Sequence, residues 1–197
     1  MPRDLTFSCT CGTVQGRARG LTQRNVRRLF CYCPDCRAFL NHVGAENCIS
    51  DDGGADLVAT LPGRITFTAG HDQIAALRLS KNGLLRWYAT CCGMPLGNMP
   101  AKALPRFVSV PRAVFKDPDA DSVLGTLKAC VNTAQAPADC KPPKEFGFLG
   151  FIGFVGSFHM ASVLGLAPKG TPYFDEQGTP IVTPYVLTKE ERAAARA

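Results

Sequence analysis

Clustered cysteines constrain this chain more than any other feature of its sequence. Most of its ten cysteines fall into three short runs, Cys9-Thr10-Cys11, Cys31-Tyr32-Cys33-Pro34-Asp35-Cys36 and Cys91-Cys92. Cysteines two or three residues apart can bind one zinc ion, because a tight turn brings both sulfurs to about 2.3 Å from the metal. Buried free thiols are the alternative interpretation, but three such runs in one chain favour metal binding. The sequence therefore predicts zinc.

Cys33 and Cys36 also have the spacing of a dithiol redox motif. A thioredoxin-like site places that motif between a strand and a helix of a βαβ unit. We expect all-β surroundings here, with His42 on a strand, so the sequence favours a metal site over redox chemistry. His42 is then a fourth ligand, a proton carrier or a structural histidine, and Cys48 is a core residue.

The N-terminal residues and the net charge indicate which cellular compartment and which class of partner to expect. No apolar stretch precedes Cys9, so we expect no secretory signal peptide and a reducing, cytoplasmic environment. The net charge is +6, and residues 1–40 hold seven arginines against two aspartates. No run of Lys or Arg exceeds two residues and no base-stacking motif accompanies them, which argues against nucleic acid as a partner. The excess of positive charge favours an anionic small molecule instead.

Residues 1–115 have the pattern of a β domain. Short apolar or β-favouring segments alternate with turn residues, and Asn82-Gly83 joins two of them in the way typical of a tight hairpin. We predict a mainly β fold class in which this domain carries the cysteine clusters.

Residues 116–197 are predicted to form a C-terminal appendage of helices and a Pro-rich tail, packed on the β domain. Apolar residues from Val123 to Val131 recur at helical spacing, with Asp121 or Ser122 as the cap. Three Thr-Pro pairs between residues 171 and 184 predict an extended segment along the surface. Thr188 followed by Glu191 predicts a capping box that opens a last helix.

The apolar segment Phe146–Ala167 contains twenty-two residues without a formal charge, which is long enough to span a bilayer. Against a span, glycine recurs there every three residues, His159 lies inside, and no basic cluster flanks the segment. We therefore expect no membrane span, and a helix that is buried on the β domain or at a homodimer interface.

The cysteine motifs resemble those of one known family. Cys9-Thr10-Cys11-Gly12-Thr13-Val14, then Cys31-Tyr32-Cys33-Pro34-Asp35-Cys36-Arg37, then a late Cys92-Gly93 are similar to the motifs of the glutathione-dependent formaldehyde-activating enzyme family, which includes domains similar to centromere protein V. The resemblance covers residues 5–115. It implies an Mss4-like β-tent with two zinc sites, one structural and one at an active site with three protein ligands.

Carried over residue by residue, the resemblance assigns most of the clustered cysteines. Cys9, Cys11 and Cys92 match the structural set, whereas Cys31, Cys33 and Cys36 match the active-site set. The first late cysteine of the family falls at Ala89 in this chain, which has Cys91 instead. Cys91 is either the replacement fourth ligand or a buried thiol, because adjacent residues of a strand point to opposite faces.

The resemblance implies an activity as well. Three protein ligands leave a coordination position for a substrate, and the family's reaction joins glutathione to formaldehyde as S-(hydroxymethyl)glutathione. The lead hypothesis is therefore a zinc-dependent carbon–sulfur lyase that binds a glutathione-type thiol at Cys31, Cys33 and Cys36. Arg37 is either a contact for the substrate carboxylate or a surface charge. The alternative hypothesis is a non-catalytic zinc-stabilised binding or scaffold module, in which His42 or Cys48 closes the second site.

Overall fold

β-Strands dominate the computed structural model, which describes residues 1–101, 107–127, 129–138, 140, 142, 148–166 and 170–196. In chain order the strands are β1 (Arg3–Ser8), β2 (Gln15–Leu21), β3 (Arg27–Cys31), β4 (Ala55–Thr60), β5 (Ile65–Ala69), β6 (Ile74–Arg78), β7 (Leu85–Ala89), β8 (Pro95–Met99), β9 (Val108–Pro111), β10 (Ala129–Val131) and β11 (Tyr185–Val186). The α-helices are α1 (Pro34–His42), α2 (Ala120–Leu124), α3 (Phe148–Val163) and α4 (Lys189–Ala194). Short 3-10 turns occur at Glu46–Cys48, Pro62–Arg64, His71–Gln73, Arg112–Val114 and Thr133–Gln135.

The strands form two sheets. The smaller sheet has the order β1-β2-β5, and the larger has the order β10-β3-β4-β9-β8-β7-β6-β11. The larger sheet is antiparallel except at its edges, where β10 runs parallel to β3 and β11 runs parallel to β6. The prediction of a mainly β protein is confirmed for the described residues. The hairpin predicted around Asn82-Gly83 is the pair β6 and β7.

Apolar side chains cover both faces of the larger sheet, because successive residues of a strand point to opposite sides. On β7, Leu85 and Trp87 are fully buried in a core shared with the smaller sheet. On the other face, Leu77 of β6 packs in a second core together with Phe39 of α1. That second core also contains Cys31 and Cys36, so the larger sheet positions one cysteine cluster within its packing.

The prediction of a strand after Cys36 is wrong, because residues 34–42 form helix α1. Cys33 is its N-cap, where the thiol sulfur accepts a hydrogen bond from the Cys36 backbone amide at 3.3 Å. Pro34 follows at the first helical position, where a missing N–H removes no intrahelical bond. His42 is the last residue of the helix and is exposed. The Cys-x-x-Cys motif thus lies between a strand and a helix, and the expected all-β surroundings are corrected.

The predicted helix from residue 123 to Val131 is also wrong in extent. Helix α2 ends at Leu124 because Gly125 follows with φ +77° and an extended ψ, a backbone conformation that favours glycine. Asp121 and Ser122 lie inside α2 rather than at its cap. Residues 129–131 then form β10 at the edge of the larger sheet, beside β3.

The Pro-rich tail makes a loop and a buried anchor rather than only an extended surface segment. Tyr173 is fully buried, and its hydroxyl donates to the Leu96 carbonyl at 2.9 Å. Its ring lies 5.2 Å from that of Trp87. The capping box before α4 is confirmed, since Thr188 Oγ1 accepts from the Glu191 amide and the Glu191 carboxylate accepts from the Thr188 amide.

Helix α3 occupies most of the apolar segment 146–167, whose residues 146, 147 and 167 lie outside the described part. Phe154 and Phe158 are buried in the second core, and their ring centroids lie 5.9 and 6.3 Å from that of Phe107. Ile152 and Met160 of the same helix are about half exposed. Within the described ranges, every helix falls short of the length and apolarity that crossing a membrane requires.

Candidate metal centres

Three thiols meet where β3 passes into α1. Cys31 is the last residue of β3, Cys33 caps α1, and Cys36 lies in its first turn. The Cys31 sulfur lies 3.4 Å from that of Cys33 and 3.5 Å from that of Cys36. Sulfurs of a tetrahedral zinc site lie about 3.8 Å apart, given Zn–S bonds of about 2.3 Å. The donor set and spacing of this three-cysteine cluster fit a zinc ion after a small expansion.

The three-cysteine cluster is buried. Cys31 and Cys36 are each 7% exposed, and Cys33 is partly buried. The hydrogen bond between Cys31 and Cys33, together with burial, raises the pKa of the Cys31 thiol to about 11. The hydrogen bond to Cys31 and burial likewise raise the pKa of Cys36 to about 11. A metal ion that binds here releases the protons of these thiols.

Polar groups from other elements reach the same sulfurs. Asn132 donates from Nδ2 to Cys31 Sγ at 3.8 Å, and Arg86 donates from Nη1 to Cys36 Sγ at 4.0 Å. Neither residue was predicted from the sequence. Asn132 has φ +58° immediately after β10, and Arg86 is a charged residue within a largely apolar strand. A charge in the middle of an apolar hairpin strand is the sequence signal that could have identified Arg86.

The second group of thiols is built by two turns. Cys9 and Cys11 lie in the turn between β1 and β2, and Cys91 and Cys92 lie in the turn between β7 and β8. All four sulfurs lie within 4.8 Å of one another. The Cys91 sulfur is 3.8 Å from Cys9, 3.3 Å from Cys11 and 4.0 Å from Cys92. This four-cysteine cluster has the number and type of donors of a closed structural zinc site.

The four-cysteine cluster includes Cys91, because the turn directs two adjacent thiols to one point. Cys11 and Cys91 are exposed, whereas Cys9 is buried. Hydrogen bonds from Thr13 lower the pKa of Cys11 to about 6. Although Cys91 is exposed as a residue, local desolvation of its sulfur, followed by hydrogen bonds with Cys11 and Cys9, raises its pKa to about 12. A metal ion bound by the cluster takes the place of the thiol protons.

Two other predicted candidates lie outside the three-cysteine cluster. Among the described residues, the metal-binding group around Cys31 contains neither His42 nor Cys48. The Cys48 sulfur lies 4.0 Å from Met94 Sδ, and it packs against both cores. Three protein ligands leave a zinc ion one coordination position, so the geometry favours the open form of this centre.

Arg37 follows Cys36 in the chain, and its guanidinium donates hydrogen bonds to backbone carbonyls. Its Nη1 donates to the Tyr32 carbonyl at 2.7 Å and to the Gln135 carbonyl at 3.1 Å. The side chain therefore ties α1 to the segment that follows β10. Its contact with a substrate carboxylate stays a prediction, and it would have to use the remaining guanidinium N–H groups.

Two surface clefts lie away from the three-cysteine cluster. One of about 170 Å³ is lined by residues that include Thr10, Cys92 and Met94, beside the four-cysteine cluster. The other, of about 450 Å³, is lined by residues that include Arg17 and Lys116. Neither cleft has a residue of the three-cysteine cluster in its lining.

Comparisons with known proteins give a family without a function. A family model described as "Family of unknown function (DUF6151)" matches residues 1–172. No curated protein matches the chain. Among solved structures, the crystal structure of a Rhodobacter sphaeroides protein is similar over 62% of this chain and 97% of that one, with 18% identity and a TM-score of 0.41.

Proposed function

This chain belongs to the DUF6151 family, whose function is unknown, and we propose that its three-cysteine cluster is a zinc centre that binds a small anionic thiol of the glutathione type. The observation that carries the proposal is the ligand count. Among the described residues, Cys31, Cys33 and Cys36 form a group of three with no fourth His, Cys, Asp or Glu. A closed centre would need that fourth ligand.

The proposed reaction is the addition of the thiol to a small aldehyde such as formaldehyde. The thiolate sulfur attacks the carbonyl carbon, a carbon–sulfur bond forms, the carbonyl π pair moves to oxygen, and that oxygen takes a proton from water. A zinc ion held by the cluster would supply a Lewis acid that lowers the pKa of the thiol. The three cysteines hold the centre at the start of α1, and the apolar second core around Cys31 and Cys36 excludes bulk water from its inner side. In keeping with this chemistry, we propose the Mss4-like β-tent as the finer description of the fold.

One observation favours a second candidate function. Cys31 and Cys36 are only 7% exposed and belong to the second core. A zinc ion buried in that way stabilises a fold, which is what a binding or scaffold module requires. In that case the three-cysteine centre is structural, and no thiol reaches it.

Exchange NMR on a glutathione–formaldehyde mixture separates the two candidates. We expect faster interconversion of free and adduct forms with the zinc-loaded protein, and loss of that effect in Cys33→Ser. Cys48→Ala is the matched control, because Cys48 is a half-buried thiol outside both clusters, and it should keep the effect. An unchanged exchange rate, together with no heat of glutathione binding in calorimetry, supports the structural module instead.

A further inference from the structure

Arg86 is a buried cation at the three-cysteine cluster. It lies on β7, is 3% exposed, and points to the face of the larger sheet that α1 covers. Its guanidinium carbon lies 5.4 Å above the ring centroid of Phe39, in a cation–π contact with α1. Nη1 then reaches Cys36 Sγ at 4.0 Å. The side chain is held in place from both the sheet and the helix.

Nothing negative in the described part of the chain compensates this charge. The ion pairs formed by the described residues do not include Arg86, and its oxygen partner is the neutral Asn98 Oδ1 at 3.2 Å. A buried guanidinium without an anion is strongly disfavoured, since the charge leaves water with no compensation. A fold that keeps Arg86 buried therefore implies an anion near it.

The position of Arg86 belongs to a polar row that crosses the sheet. Arg86 on β7 pairs with Asn98 on β8, and Asn98 pairs with Ser109 on β9. All three side chains are buried. Paired residues on neighbouring antiparallel strands lie side by side on one face, so the row concentrates buried polarity on the α1 face.

We infer that Arg86 is the charge-balancing and positioning residue of the three-cysteine zinc centre. The inference rests on the proposed zinc occupancy of that centre. Three thiolates and one Zn²⁺ carry a single net negative charge, which the guanidinium beside Cys36 neutralises. Nη1 also fixes the direction of the Cys36 sulfur, as outer-shell donors do at other metal sites. The anion that buried Arg86 requires is the metal–thiolate centre itself.

The four-cysteine cluster shows why only one centre needs such a residue. Four thiolates and Zn²⁺ carry two negative charges, yet Cys11 and Cys91 are exposed and water screens that charge. The three-cysteine cluster has no such contact with water at Cys31 and Cys36. Its charge has to be balanced within the protein.

The test is zinc retention by each centre in competition with a chelator. In Arg86→Met, which keeps an apolar stem against Phe39, we expect the three-cysteine centre to lose zinc affinity by about 10- to 100-fold. Cys33→Ser shows which phase of zinc release to the chelator belongs to the three-cysteine centre. The four-cysteine centre is the internal control. Arg112→Met is the matched control, because Arg112 is a half-buried arginine with its own carboxylate partner, Asp121. Arg86→Lys keeps the charge and should recover much of the affinity.

The outcomes separate this inference from the proposed function. Equal affinity of the three-cysteine centre in Arg86→Met and wild type overturns the role of Arg86, whether or not glutathione binds. A selective loss of zinc from that centre, in a protein that binds no thiol, supports the role of Arg86 and overturns the proposed function alone. A wild-type three-cysteine cluster that takes up no zinc overturns both. If Arg86→Met does not fold, Arg86→Lys and Arg86→Gln are compared, and equal affinities in these two contradict charge balancing.

Discussion

Gly93 lies directly against Val43, so that a Cβ atom added to Gly93 would come 1.8 Å from the Val43 carbonyl oxygen. Gly93 ends the turn that carries Cys91 and Cys92, and Val43 caps α1. The first turn of that helix carries Cys36. Helix α1 therefore spans the distance between the two cysteine clusters, and each cluster supports one end of it.

This contact predicts an unequal effect of alanine at two glycines that both have positive φ. Gly12 has φ +81° and open space around its Cβ position, whereas Gly93 has φ +70° and meets Val43. Gly12→Ala should cost about 1–2 kcal/mol of unfolding free energy from backbone strain alone. Gly93→Ala should cost clearly more, because a backbone atom has to move. Chemical denaturation of the two variants measures the difference, and equal losses would show that the contact with Val43 does not hold α1.

Both clusters predict the metal content of the purified protein. Protein prepared without chelator should contain about two zinc ions per chain if both thiol sets are occupied. Cys33→Ser should retain about one, in the four-cysteine cluster. Elemental analysis of folded protein gives the number of zinc ions per chain directly. Folded protein that contains no zinc would show that neither cysteine cluster is a zinc site.

The two centres should differ in their contribution to stability. Cys11 is exposed, so Cys11→Ser removes a ligand without placing a hydroxyl in the core. It should lower Tm by about 10 °C or more, since each kcal/mol shifts Tm by about 2–4 °C in a chain of this size and structural zinc supplies folding energy outright.

Cys33→Ser should lower Tm much less than Cys11→Ser. Serine is a good N-cap residue, so it keeps the acceptor that Cys33 offers to the Cys36 amide at the start of α1. Thermal unfolding followed by circular dichroism compares the two variants. Equal losses would remove the reason to give the two centres different roles.

Much of this architecture was predictable from the sequence, and the failures have physical causes. The hairpin β6–β7, the capping box at Thr188 and the three-cysteine cluster follow from local chemistry that a sequence displays, whereas the meeting of two distant turns in the four-cysteine cluster was expected only from the family resemblance. Helix α1 was missed because a nine-residue helix is marginal alone. It depends on the Cys33 cap and on burial of Phe39, which only the fold supplies. Tyr173 and Arg86 were missed because their partners, Leu96 and Cys36, are distant in the chain.

An ion-pair network at Asp121 predicts a pH dependence of stability. The Asp121 carboxylate accepts from Arg112 at 2.7 Å and from Arg28 at 2.9 Å, and the bonds from Arg112 lower the pKa of this carboxyl below its ordinary value of 3.8. A lowered pKa in the folded state stabilises the protein above the unfolded-state pKa, and that contribution is lost as pH falls through the lowered value.

Asp121→Asn should therefore be less stable than wild type at neutral pH, and the difference should shrink below the ordinary pKa and vanish once the pH is below the lowered pKa of Asp121. The side chain of Asp121 is 62% exposed, so solvent screening limits the difference to about 1 kcal/mol or less. Denaturation midpoints as a function of pH provide the measurement, and 1 M salt should reduce the difference at neutral pH. A difference that stays constant down to pH 2 would show that the network does not stabilise the fold through charge.

The proposed thiol occupies the fourth coordination position at Cys31, Cys33 and Cys36. Titrating glutathione into the cobalt-substituted protein and recording the visible spectrum, which reports how many sulfur ligands surround each Co²⁺, tests this occupancy. We expect a saturable change toward a four-sulfur spectrum in wild type and no change in Cys33→Ser, where only the four-cysteine centre holds metal. A wild-type spectrum that stays constant at all glutathione concentrations, with both cobalt ions bound, would contradict the claim.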